Sequence, residues 1–169
     1  MEEKIRDLKP DLIIGNKEEN TQSEVELLMQ EFPVWMSDIS NLEEAMVAIT
    51  QLGELVDRAP EAAYLNHLIN AGFTDLQTLA VEKNINQKVA YLIWKDPYMV
   101  AAKNTFIDDI LRKIGLNNII QQSRYPELEL ANLSTLNPQL IFLSSEPYPF
   151  KQKHIDEIQL ALPNAKVML

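Results

Sequence analysis

Residues 89–99 read VAYLIWKDPYM, and the arrangement of the chain follows from this stretch. Val89 to Trp94 is an apolar, mostly β-favouring run after the polar KNINQK, and it predicts a fully buried strand. Lys95-Asp96-Pro97 stops it, because proline cannot donate to a ladder and the chain must turn. Trp94, Tyr98 and Met99 sit at that turn. In open α/β sheets, ligands bind outside the carboxyl ends of the strands, so large, partly polar aromatics there point to a ligand surface. Packing between neighbouring elements is the other use such aromatics have.

Working outward, the upstream half opens with a helix tail over 2–8 that Pro10 ends. A short buried strand DLIIG (11–15), a polar loop NKEEN (16–20) and a helix to about residue 31 follow. Thr21 or Ser23 caps that helix, and Val25, Leu28 and Met29 lie on one face. Pro33-Val34-Trp35-Met36 reads as the next strand. Ser40 or Asn41 caps a helix whose first turn carries Glu43 and Glu44. Its apolar stripe is Leu42, Met46, Ile49, Leu52, Leu55 and Val56. Pro60 opens a second long helix to about residue 83, with Gly72 a weak point inside it. Residues 41–83 thus carry no strand signal, where an alternating α/β domain needs only one crossover helix. They read as a helical connector.

Downstream, Asn104 or Thr105 caps a helix through Ile114, with Gly115 suited to the position after its end. A short strand over 118–121, a loop at 124–127, a helix over 130–136 ended by Pro138 and a strand over 140–144 follow. The proline-broken SEPYPF (145–150), a helix over 151–162 with Ile155, Ile158 and Leu162 inward, and a strand over 165–169 complete the chain. The two ends match each other. LKPDLI (8–13) answers LNPQLI (136–141), and each leads through a glutamate-bearing loop to an amphipathic helix and a proline-preceded strand. One strand–loop–helix–strand unit is used twice.

Composition narrows the function. The 169 residues suffice for one domain or two small lobes, and 46% hydrophobic content supplies a core. Fifteen Lys and Arg against 25 Asp and Glu give a net charge of −10, which argues against nucleic-acid or anionic-membrane binding. The lack of cysteine removes disulfides, thiol catalysis and thiolate metal sites. No run of about 18 apolar residues is present to span a membrane, and MEEKIRDLKP is no signal peptide. A signal for export, if there is one, lies outside this chain. His67 and His154 have no partners at metal-site spacing and read as solvated or capping residues. GxGxxG, GxxxxGK[ST] and GxSxG are all missing, and no nucleophile–base set stands out, so the chain is expected to perform no chemistry.

The candidate ligand residues lie after strands. They are Asn16, Lys17, Glu18 and Glu19 in the first part, and Trp94, Lys95, Tyr98, Met99, Arg124, Tyr125, Glu146 and Tyr148 in the second. Aromatics there stack on flat molecules, and Lys95 and Arg124 suit carboxylates. Glu18 and Glu19 also fit a solvated loop, and Tyr148, between Pro147 and Pro149, also fits a packed turn.

The phrases LKPDLIIGNKEEN (8–20), PVWMSDISNLEEA (33–45), AYLIWKDPYM (90–99), TFIDDILRKIGLNNI (105–119), RYPELELANLSTLNPQLIFLSSEPYPFKQKHI (124–155) and NAKVML (164–169) span nearly the whole chain. In this order and spacing the chain resembles the helical-backbone (class III) periplasmic substrate-binding proteins of ABC importers. That family includes the vitamin B12-binding protein and the haem and ferric-siderophore receptors, and the likeness is strongest to its cobalamin-binding-protein-like branch. The resemblance implies an α/β fold with two Rossmann-like lobes joined by a long helical linker, divided as 1–40, 41–83 and 84–169. It implies cobalamin, haem or a ferric siderophore bound in the cleft between lobes without covalent attachment, an ABC permease as partner and a periplasmic location. Members open with a further α/β segment and continue past the final strand. The chain is therefore expected to be a fragment with its first lobe incomplete, and its uncovered apolar residues Leu12, Ile13, Ile14, Val34 and Trp35 to drive self-association. A cytoplasmic α/β enzyme or interaction domain that keeps only the fold is the alternative.

Overall fold

The computed structural model describes residues 2–169 and divides the chain into two compact units that meet in sequence between Ile39 and Ser40. The first unit runs α1 (Glu2–Leu8), β1 (Ile13–Asn16), α2 (Gln22–Met29) and β2 (Val34–Ser37). β1 and β2 pair in parallel, from Ile13 opposite Val34 to Asn16 opposite Ser37. Gly15 lies against Met36, and a Cβ there would stand 2.6 Å from the Met36 sulfur. Thr21 holds the N-cap position of α2, but its hydroxyl bonds Glu24 rather than a backbone amide. Leu28 is buried, whereas Met29, expected on the same face, is exposed. The helix is only two turns long, and it turns Leu28 and the half-buried Val25 toward Ile13, Val34 and Met36. Two strands do not cover the unit's apolar residues, and Ile14 is half in solvent.

The second unit runs α3 (Leu42–Leu55), α4 (Ala59–Glu82), β3 (Lys88–Trp94), β4 (Met99–Val100), α5 (Phe106–Lys113), β5 (Asn117–Asn118), α6 (Leu130–Leu136), β6 (Leu140–Leu143), α7 (Gln152–Ala161) and β7 (Lys166–Met168). Its sheet is ordered β4-β3-β6-β7, with β5 paired to the first residues of β3. β3 is parallel to β5 and β6, and β6 to β7, while β4 is antiparallel. Val89, Ala90 and Leu92 on β3 are fully buried because both faces of the sheet are covered. Ala90 and Leu92 join Ile120, Leu133, Ile141 and Ile158 on one side. Val89 joins Leu111 and Leu116 on the other. The chain is thus α/β, and both β1-α2-β2 and β6-α7-β7 are parallel β-α-β turns, the repeated unit read from the sequence.

Residues 42–82 are helical apart from the short α3–α4 link. Asn41 caps α3 by accepting from the Glu44 amide at 2.9 Å, and Glu44 reaches back to the Ser40 amide at 2.7 Å. α3 is tied to α5, where the Leu42 amide donates to Asp109 at 3.0 Å and Lys113 pairs with Glu43 at 2.6 Å. That bond lowers the Glu43 pKa. The expected stripe of α3 is corrected at its end: Leu55 and Val56 are 48% and 53% exposed. α4 is met instead by small residues. Gly53 is buried, and a Cβ on it would lie 2.4 Å from the Ala62 Cβ. Two backbones this close leave no room for leucine.

Candidate functional site

Two neighbouring parallel strands of the second unit end side by side, with Leu92 of β3 opposite Leu143 of β6. The Ser144 amide donates to the Leu92 carbonyl at 3.0 Å, so the two loops leave the sheet together. Both loops contain a cis X-Pro peptide, Asp96–Pro97 and Glu146–Pro147. Trp94 is the last residue of β3 and pairs with Met99 of β4. Met99 is therefore a strand residue, not the loop residue the sequence suggests, because the turn after Pro97 is tight enough for a β-bridge.

A run of rings fills this end of the sheet. Trp94 meets Tyr148 edge-on, with centroids 5.5 Å apart and planes at 70°. Tyr148 lies 4.7 Å from Phe150 and 5.4 Å from His154, and Phe150 is edge-on to His154 at 5.6 Å. Such offset and edge geometries are the favoured ones for π systems. Phe150 and His154 are buried, and Trp94 remains 38% exposed, so the run passes from core to solvent.

His154 sits in the first turn of α7, where its Nδ1 accepts from the Lys151 amide at 2.9 Å. This is the capping role the sequence allowed; the solvated reading is overturned, because the ring is buried. Burial lowers its pKa, and the nearby charges of Lys153 and Lys95 add to the effect. With Nδ1 accepting, the neutral ring carries its proton on Nε2, which lies 3.4 Å from the Tyr148 hydroxyl. Three residues further along α7, Glu157 uses both carboxylate oxygens. One accepts from the Tyr98 hydroxyl at 2.9 Å, and the other takes the Lys95 ammonium. Lys95 also stands 5.7 Å from the Tyr98 ring centre. The Glu157 hydrogen bond raises the Lys95 pKa against the pull of burial, and the Lys95 bond lowers that of Glu157. Burial and then the Glu157 bond push Tyr98 up to about 12.

The structure therefore brings Trp94, Lys95, Tyr98 and Tyr148 together and adds Phe150, His154 and Glu157, which the sequence reading left out. The sequence signals for them were local: Phe150 and His154 follow Tyr148 by two and six residues, and Glu157 follows His154 by three on the same helix. Glu146 is exposed at its turn, its carbonyl accepting the Ser144 hydroxyl. Arg124 and Tyr125 lie elsewhere, on the segment beside β4, where the Ala102 amide donates to the Arg124 carbonyl at 2.8 Å. The Arg124 guanidinium stands 5.8 Å from the Tyr125 ring centre. In the first unit, Asn16 closes β1 rather than opening the loop, and its side chain accepts from the Glu18 amide at 2.7 Å. The Asn20 side chain accepts from the Asn16 amide at 3.0 Å, and Lys17 pairs with Asp38. Glu18 and Glu19 are exposed. Among the described residues there is no cluster of three groups able to hold a metal ion, and no helix is long and apolar enough to cross a membrane.

Comparisons with known proteins agree with this fold. Over 107 residues the chain is 29% identical to the high-affinity heme uptake system protein IsdE of Staphylococcus aureus, covering 62% of this chain and 37% of that one. The matched stretch thus spans little more than a third of that relative's length. The crystal structure of S. aureus IsdE complexed with heme superposes with a TM-score of 0.80 at 23% identity, over 99% of this chain and 70% of that one. The periplasmic vitamin B12 binding protein BtuF of Vibrio cholerae gives 0.77 at 25%, over 98% and 66%. An ABC transporter substrate-binding protein from Listeria monocytogenes gives 0.79 at 21%, over 98% and 69%. Residues 2–161 match the periplasmic binding protein family, and the chain belongs to that family.

Proposed function

We propose that the whole protein is the solute-binding component of an ABC-type importer and takes up a metal chelate (haem, cobalamin or a ferric siderophore) without chemistry. The observation that carries this reading is the ring run at the ends of β3 and β6, which ends in a solvent-exposed Trp94. Trp94 and Tyr148 are the stacking surface, and Phe150 and His154 hold Tyr148 from behind. Met99 and Glu146, Arg124 and Tyr125 on the segment beside β4, and in the first unit Asn16 at the end of β1 with Lys17, Glu18 and Glu19 after it, are proposed as further ligand-binding residues. Lys95 is engaged by Glu157 and would have to leave it to meet a ligand carboxylate. We assign it to orienting Tyr98 first. Residues 41–83 are proposed as the linker of the whole protein, an ABC permease as its partner, and the periplasm or outer cell surface as its location. Relatives named for heme and vitamin B12 binding support this reading over a cytoplasmic enzyme.

The test is a titration of the intact protein with hemin, cyanocobalamin and a ferric siderophore, followed by tryptophan fluorescence. These 169 residues hold two tryptophans, so the part of any quench that Trp94→Phe abolishes and Trp35→Phe leaves is the part that Trp94 reports. One of the three should quench it, and Trp94→Ala should weaken that ligand by about 1–3 kcal/mol, roughly 5- to 150-fold. If none quenches, or if Trp94→Ala leaves affinity unchanged while lowering stability, Trp94 is a packing residue and the reading fails.

A further inference from the structure

Helix α4 carries a second apolar stripe that nothing in its own unit covers. Its inward face, with Ala62 and Ala80 buried, meets α3 and α5, and Asn66 on that face donates to the Met46 carbonyl and the Thr50 hydroxyl at 2.9 Å. About a quarter-turn away stand Leu65, Leu68, Gly72, Leu76 and Leu79. The four leucines are 44–48% exposed, and a Cβ added to Gly72 would meet nothing within 4 Å.

The spacing of this stripe is palindromic. Counted from Gly72, the leucines lie at −7, −4, +4 and +7. One step further on each side, at −11 and +11, stand Glu61 and Lys83, both exposed and opposite in charge. The positions recur about every 3.7 residues, close to a straight helix, so the stripe keeps one direction for roughly 33 Å. A twofold interface needs a surface complementary to itself, in which residue i meets j and j meets i. Laid antiparallel on a copy of itself with Gly72 on the axis, α4 puts Leu65 against Leu79, Leu68 against Leu76, and Glu61 against Lys83 at both ends. Gly72, without a side chain, lets the backbones approach at the crossing.

We infer that α4 is a self-docking face, and that this chain forms an antiparallel twofold dimer through Leu65, Leu68, Leu76 and Leu79, with Glu61 pairing to Lys83 of the second copy. Arg58, 3.3 Å from Glu61 in the single chain, is the exposed partner that Glu61 would share or exchange. A single helix pair buries less surface than a standard interface, so the dimer is concentration-dependent and weak. This face lies in the second unit, apart from the first-unit residues to which the sequence reading assigned self-association.

The experiment uses the 169-residue chain. Sedimentation over a wide concentration range should show mass rising from 19.4 kDa towards twice that value. Gly72→Lys sets two like charges face to face on the axis while improving the helix. It should raise the dissociation constant at least tenfold with unchanged or higher monomer stability. Glu61→Lys should weaken the dimer, and Glu61→Lys with Lys83→Glu should restore it. The chain has no cysteine, so single cysteines report orientation directly. Leu65→Cys alone and Leu79→Cys alone should not crosslink, their own copies being about 21 Å apart along the axis. An equal mixture of the two should. A monomer at all concentrations, a dimer indifferent to Gly72→Lys, or self-crosslinking of either single cysteine overturns the inference.

Discussion

Replacing Gly53 with alanine adds one methyl group where α3 and α4 touch. The new Cβ falls 2.4 Å from the Ala62 Cβ and 3.1 Å from the Arg58 carbonyl oxygen. Carbon atoms rest at about 3.5–4.0 Å, so the helices have to part by roughly 1 Å or more. Overpacking of this kind costs about 1–3 kcal/mol, and the helix preference of alanine over glycine returns about 0.5–1 kcal/mol. The net expectation is a loss of about 1–2 kcal/mol. The same change at Gly72 meets nothing within 4 Å, so only the helix preference acts and about 0.5–1 kcal/mol is gained. One chemical change, made twice in α-helices of one unit, is expected to act with opposite signs. Urea unfolding followed by helical ellipticity, in protein dilute enough to be monomeric, reads both. At an m-value of about 2 kcal/mol/M, each kcal/mol moves the midpoint by about 0.5 M. A Gly53→Ala, Ala62→Gly double variant removes the clash and should be at least about 1 kcal/mol more stable than the sum of its parts. If Gly53→Ala stabilises as Gly72→Ala does, the close approach of the two helices is wrong, and with it the reason Leu55 and Val56 are left in solvent.

Asp108 is 1% exposed and answers Lys103 at 3.3 Å, Arg112 at 3.1 Å and Asn118 at 2.9 Å. Asp108→Ala should cost about 2–3 kcal/mol by thermal or urea unfolding, less than a fully buried pair because the Arg112 side chain is more than half exposed. Tyr98 is held up to about 12 from an ordinary 10.0, so its stabilising contribution is complete below pH 10 and is lost as pH rises towards 12. Wild-type stability should therefore fall more steeply over that window than that of Tyr98→Phe, and the last component of the tyrosinate absorbance titration should vanish in the variant. His154 is held below its ordinary 6.5, so its contribution is present above pH 6.5 and is lost as pH falls below it. His154→Asn should flatten the acid side of the unfolding-midpoint profile; an unchanged slope would show that the ring titrates as it does in water.

Local pattern made much of the fold legible. The apolar run 89–94 lies in β3, Pro138 follows α6 at Leu136, and both β-α-β turns stand where apolar strands, amphipathic helices and prolines set them. Each of these signals lies within a few residues of the structure it specifies. The misses arose where the partner lies far along the chain or where the informative atom is an absent one. Leu55 and Val56 look like core on α3, but helix approach is governed by Gly53 and Ala62, whose lack of bulk carries no hydrophobic signal. Glu157 joins the site only because α7 returns beside the end of β3, Lys95 and Glu157 being 62 residues apart and Tyr98 and Glu157 59, whereas Phe150 and His154 lie two and six residues from Tyr148 and were within local reach. A sequence displays a donor but not its acceptor. Lys95, placed after a strand, therefore reads as a free cation awaiting a ligand carboxylate. Once Glu157 is seen to take that ammonium, the charge is already answered within the unit, and the exposed residues of the two turns are Trp94, Asp96 and Pro97 on one strand end and Ser145, Glu146, Pro147 and Pro149 on the other. The proposed stacking surface therefore rests on Trp94, the one exposed aromatic ring among them, with the half-buried Tyr148 edge-on behind it.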